Sequence, residues 1–281
     1  MALFGLFNKS GKNNGEMSFW GHIDALRGHL FRSALVVVIL ACVLFCFPEF
    51  LFDKVIFGPL KEDFATYQAF CKLSHMLNLG DDLCFGHYTF KLQSLGLSDQ
   101  FTSQMWIAFI GGLIVGSPYV LWEVWRFIKP ALKEKEKKAS TLFIVSATLL
   151  FVIGVAFSYY IIAPLMINFL GNYKVSDMVE NNFTMDSYIS TVTTLTLCTG
   201  LIFELPILVF FLTKFGIMSP EFMRKYRKHA VVVILIVAGV ITPSPDVTSQ
   251  LLVAFPLYFL YEASIFVSYF VARKKAKLER S

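Results

Sequence analysis

The chain has 281 residues, of which 56% are hydrophobic and only 16% charged, with a mean hydropathy of +0.62. A soluble domain carries about a quarter of its residues as charges, so an ordinary soluble class is excluded. The formal net charge of +5 resides in the segments that flank apolar runs and gives no reason to invoke a nucleic-acid partner.

Runs of 18 or more apolar residues mark helices that cross a bilayer. The expected fold class is therefore an all-α polytopic membrane protein, a single domain over 1–281. Residues 1–16 have a short apolar start and then turn polar; they are expected to be disordered, and no cleavable signal sequence is read in them. Residues 17–29 place Phe19, Trp20, Ile23 and Leu26 on one helical face, which predicts an amphipathic helix on the membrane surface. Six spans follow, at about 30–47, 105–128, 140–170, 187–213, 229–241 and 247–271. The fifth is short: its 13 residues reach roughly 20 Å at 1.5 Å per residue, against a hydrocarbon core of ~30 Å. Pro118, Pro164, Pro206 and Pro256 fall inside spans and are expected to kink the helices into a concave bundle.

Twenty of the 25 Lys and Arg residues lie in the N-terminal tail, 126–138, 214–228 and the tail after residue 271, and five lie in the alternating segments. Positive flanks stay inside, so both termini are expected in the cytoplasm, with 272–281 as a cytoplasmic tail. The loop 48–104 then lies outside. It is too long to be structureless and is read as a cap, with a helix around Tyr67, Phe70, Leu73 and Leu77 ending at Gly80, then an extended stretch through Tyr88, Phe90 and Leu92. Cys71 and Cys84 share that loop, and in a periplasm a disulfide between them is expected. Cys42, Cys46 and Cys198 lie in spans and read as apolar filler.

No catalytic chemistry is legible. "GLFNKSGKN" (5–13) departs from a phosphate-binding loop in both spacing and its final residue. The five histidines have no ligand spacing, and no nucleophile motif is present. The chain is expected not to be an enzyme, with no metal and no cofactor.

Four constellations stand out: "WRFIKPALKEKEKK" (125–138), "FELP" around Glu204, "TPSPDVTSQ" (242–250) and "LYEASIF" (260–266). Together with "HIDALR" (22–27) and "FTSQMWIAFIGGLIVGSPYVLWEVWRFIKPAL" (101–132), their order and spacing resemble the TatC family, the multi-spanning receptor subunit of the twin-arginine protein translocase. The resemblance implies export of folded proteins across the inner (cytoplasmic) membrane, driven by the proton-motive force. It implies recognition of signal peptides with paired arginines, partner subunits of the TatA-like and TatB-like single-span type, and self-association in a larger complex. It also implies a signal-peptide site built from Phe127, Pro130, Leu132 and Glu136 together with Asp24 and Arg27. A carboxylate suits this task because it takes a guanidinium bidentately. The family places an acid directly before the Leu-Arg of "HIDALR", where this chain has Ala25. Asp24, the nearest acid, points about 100° away on a helix.

Glu204 lies roughly 25 Å along its span, where a carboxylate is costly unless paired, hydrated or protonated. Pro206 leaves the carbonyl of Ile202 without its usual donor. The pair is expected to face a concave, water-accessible surface used by partners or substrate. Thr242, Asp246 and Gln250 are expected to form a partner-helix site, and Glu262 is a second intramembrane acid near the inner interface. A competing reading makes the chain a proton-coupled transporter of a small solute with Glu204 as carrier. Such transporters show repeated halves, and none is found here.

Overall fold

The computed structural model describes residues 19–61, 63–76, 92–129, 140–173, 176, 182–242 and 247–279. The expectations for 1–16, for Leu77, Gly80, Tyr88 and Phe90, and for Cys84, Pro130, Leu132, Glu136 and Asp246 lie outside the described residues.

The chain is helical as expected. In order it forms α1 (Phe19–Phe45), α2 (Ala65–Met76), α3 (Asp99–Ile128), α4 (Ser140–Phe157), α5 (Ala163–Asn172), α6 (Met185–Ile202), α7 (Leu205–Lys214), α8 (Pro220–Lys225), α9 (Arg227–Ile241) and α10 (Val247–Glu279). Helix α1 runs unbroken through the segment read as amphipathic and into the first span. Ile23, Leu26 and Leu30 are exposed along it. Among the described residues, five stretches are long and apolar enough to cross a bilayer: Ile23–Phe45, Asp99–Ile128, Ile144–Asn172, Met185–Lys214 and Val247–Lys274. The sixth expected span is α9, whose 15 residues fall short of the roughly 20 a span needs. It is covered on one side by α10: Ala238 and Ile241 pack with Val253, Ala254 and Leu257.

The prolines act as their chemistry dictates. Pro206 follows a break at Phe203–Glu204 and sits in the first turn of α7, where its missing N–H costs nothing. Pro118 and Pro256 lie inside α3 and α10. Pro164 follows a π-helical turn, Ser158–Ile162, and cannot donate to the carbonyl of Tyr160; the Thr66 hydroxyl from the cap donates to it instead. In the cap itself, Pro59 likewise cannot serve Val55, whose carbonyl accepts from the Tyr159 hydroxyl at 2.6 Å. The Tyr188 hydroxyl donates to Ile56 at 2.8 Å. The π-helical segment Phe50–Ile56 and α2 are thereby tied to the membrane helices, two of the three ties using carbonyls that a proline leaves without a donor. A parallel two-strand ladder pairs β1 (Leu92–Gln93) with β2 (Phe183–Thr184) at the same end.

Without a hydrophobic drive between helices in lipid, close packing decides which helices meet. Gly112 of α3 lies so close to α1 that an added Cβ would sit 2.8 Å from the Ala41 nitrogen and 2.9 Å from the Val37 oxygen. Gly154 and Gly200 mark a similar crossing of α4 and α6, where a Cβ on Gly154 would sit 2.7 Å from Phe203. At the end of the bundle opposite the cap, His29 meets Glu123, Trp125 meets Phe211 at a ring separation of 5.6 Å, and Thr213 meets Ser268 at 2.9 Å. The start of α1 and the ends of α3, α7 and α10 thus share one end of the molecule. Arg32, Arg126, Lys214, Arg227 and Lys274 belong to that basic end.

Candidate functional site

The basic end is organised around a residue that the sequence did not single out. Glu123 is 1% exposed, and a buried carboxylate is stable only when its oxygens are satisfied. Its Oε2 accepts from His29 Nδ1. Its Oε1 accepts from the Tyr119 hydroxyl at 3.0 Å and lies 3.4 Å from Arg32 Nε and 3.6 Å from an Arg126 guanidinium nitrogen. Two donors come from α1, three residues apart, and two from α3, at i−4 and i+3 from the acid. Those spacings put each pair on one helix face. Arg126 also covers the Trp122 ring at 4.9 Å, and the His29 ring meets Phe127 edge-on at 6.3 Å.

The expected site residues surround this centre unevenly. Phe127 is half-buried and lies against His29. Asp24 and Arg27 are exposed on the first turns of α1, within about two helical turns of His29. Ala25 is partly covered, and α1 therefore presents one acid, Asp24, at its start.

Glu204 stands at the break between α6 and α7, half-buried, and its Oε1 is buried with no hydrogen-bond partner among the described residues. The hydroxyls of Ser158, Thr196 and Thr199 are buried and unpartnered on the same terms. The Thr242 hydroxyl donates to Ala238 at 3.0 Å, and the Gln250 amide donates across to the Leu235 carbonyl of α9 at 2.8 Å. Gln250 therefore uses one of its two amide N–H donors inside the chain. Glu262 is engaged as well: Arg227 reaches it at 2.7 Å and the Tyr258 hydroxyl at 3.1 Å. Cys71 is disulfide-bonded, whereas Cys42, Cys46 and Cys198 are free.

Glu123 was missed because it sits inside "WEVWRF", at the end of an expected span and just before the basic segment that drew the reading. The available signal was its spacing from Tyr119 and Arg126. His29 and Arg32 join it from 94 and 91 positions away, which no local pattern encodes.

Comparison with known proteins places these features in one family. A family profile described as "TatC: Sec-independent protein translocase protein (TatC)" matches residues 21–256. The TatC protein of Blattabacterium sp. subsp. Periplaneta americana is 40% identical over 268 residues, covering 95% of this chain and 100% of that protein. The TatCy protein of Bacillus subtilis is 35% identical over 262 residues, covering 93% and 92%. A crystal structure described as the twin-arginine translocase receptor TatC superposes with a TM-score of 0.70 at 29% identity, covering 89% of this chain and 99% of that one. These relatives are translocase proteins, and a solute-transporter function finds no support among them. The chain belongs to the TatC family of Sec-independent protein translocase proteins.

Proposed function

We propose that this multi-pass translocase subunit is the receptor for twin-arginine signal peptides, and that its basic end is the cytoplasmic docking face. The observation that carries the reading is the match, over most of both chains, to a structure described as the twin-arginine translocase receptor. The asymmetry of lysines and arginines supports cytoplasmic termini. In this reading the peptide arginines remain at the membrane surface, because moving two charges deeper costs several kcal/mol. Asp24 and Glu136 supply carboxylates to them, and Phe127, Pro130 and Leu132 supply the apolar wall. The apolar part of the signal peptide extends toward Glu204.

TatA-like and TatB-like single-span subunits dock on the helices around Thr242, Asp246 and Gln250, and folded cargo crosses the cytoplasmic membrane on the proton-motive force. One N–H of the Gln250 amide donates to the Leu235 carbonyl, so part of its contribution to that surface is to fix α9 against α10. Cys84 is the proposed partner of Cys71 in the cap.

The test is complementation. In cells lacking their own TatC protein, this chain, with matching single-span subunits, should restore export of a folded reporter carrying a twin-arginine signal. The same reporter with twin lysines should stay inside. Equal export of both reporters, or of neither, would remove the reading.

A further inference from the structure

Helix α1 is the most peripheral of the long helices. Only 11% of its apolar window is buried, against 33–44% for the other four spans. It is held to α3 at three levels. At the cap end the Gln104 amide donates to the Phe45 carbonyl at 2.9 Å, satisfying an orphan at the helix end. In the middle, Gly112 and Gly116 admit the α1 backbone and side chains. At the basic end the polar contacts converge on Glu123, beside the edge-on contact of His29 with Phe127. Of the four groups around it, His29 and Arg32 belong to α1, whereas Tyr119 and Arg126 belong to α3 itself.

We infer that Glu123 is a positioning residue of the signal-peptide site: through His29 and Arg32 it fixes the start of α1, with Asp24 and Arg27, at a set distance from Phe127 on α3. This rests on the receptor function proposed above. Recognition of two guanidinium groups needs its acceptors held within a fraction of an ångström. The two halves of the proposed site come from different helices, and α1 has little other burial to fix it. Ala25 leaves α1 with a single exposed acid near its start, so the placement of Asp24 matters more. Glu123 also offsets Arg32 and Arg126, which would otherwise present two positive charges to a cationic peptide.

These two roles separate experimentally, because repulsion of a cationic peptide by the exposed Arg32 and Arg126 fades in about 1 M salt, where the Debye length is about 3 Å, while a fixed helix spacing does not.

The experiment uses the full chain in detergent, with Glu123→Gln and His29→Leu variants. The first removes the charge but keeps an acceptor, and the second removes one of the two α1 donors while leaving Arg32, Tyr119 and Arg126 on the carboxylate. Affinity is measured for a twin-arginine signal peptide and its twin-lysine counterpart, in ordinary buffer and in 1 M salt. In parallel, spin labels at Leu30→Cys and Val124→Cys, in a chain whose free cysteines are replaced by alanine, report the spacing of α1 and α3. Both variants should lose about tenfold or more in twin-arginine affinity, keep that loss in 1 M salt, bring the arginine-to-lysine preference toward one, and broaden the spin-label distances. Affinity within about twofold of the parent, a loss that disappears in 1 M salt, or an unchanged distance distribution would overturn the inference. If Glu123→Gln yields no folded protein, His29→Leu decides by the same criteria. A parent chain with no arginine preference would overturn the receptor function instead, and the spin-label distances would still decide whether Glu123 fixes α1.

Discussion

Arg227 meets Glu262 at 2.7 Å. The arginine begins α9, the short helix, and the acid lies in α10, with Tyr258 completing the carboxylate's partners. An intramembrane acid that looked exceptional in the sequence is thus compensated within the chain. Removing the arginine should leave Glu262, which is 23% exposed, without its charge partner. Arg227→Met is expected to cost about 1–2 kcal/mol, discounted from the 3–5 of a fully buried pair because both groups reach solvent. The double variant Arg227→Met with Glu262→Gln should recover most of that loss. Thermal unfolding in detergent measures both.

Gly112 and Gly28 make opposite predictions for the same substitution. A Cβ on Gly112 would meet the backbone of α1 at 2.8 Å, whereas one on Gly28 meets nothing within 4 Å. Alanine at 112 must push α1 away, at about 1–3 kcal/mol. Alanine at 28 gains helix propensity, about 0.8–1.0 kcal/mol. Melting temperatures of the two variants should move in opposite directions, and a stabilising Gly112→Ala would contradict the close crossing.

Cys71 is disulfide-bonded, and its proposed partner closes a loop of 13 residues. Peptide mapping without reduction should recover a Cys71–Cys84 linked peptide. Cys71→Ser should lower stability by about 2–3 kcal/mol, with the loss seen in the oxidised protein and absent once the parent is reduced.

Glu204 carries a buried oxygen without a partner among the described residues, so its charge is not used to hold the bundle together. Glu204→Gln should therefore leave stability equal or higher, since an unpaired intramembrane charge costs about 2.5–3.5 kcal/mol. Twin-arginine peptide binding at the basic end should persist. Under the proposed function, in which the residue meets only the apolar part of the signal or a partner span, export of a folded reporter should fall. Peptide crosslinking in membranes, paired with export in cells, separates the two effects.

The legible part of this molecule was what lipid imposes locally. Apolar runs located the long spans, the shortness of the fifth was visible in its length, and Pro206 marked the break beside Glu204. Gly112 and Glu123 were not legible, since each acquires its meaning from α1, dozens of positions away. Gln250 was misleading for a different reason: an N–H of its amide donates back to Leu235 of α9, 15 positions away. Motif resemblance supplied Phe127, and the structure adds the His29 and Glu123 contacts behind it.

The central claim is that twin-arginine signals are received at the basic end, and it is tested most directly by site-specific crosslinking. A photoreactive residue at Phe127, and another at Leu97 near the cap, are placed in full-length protein in membranes and illuminated with a folded precursor. The account predicts an adduct from position 127 that needs both arginines of the signal, and none from position 97. An adduct from 127 that is equally strong with twin lysines, or one found only at 97, would contradict it.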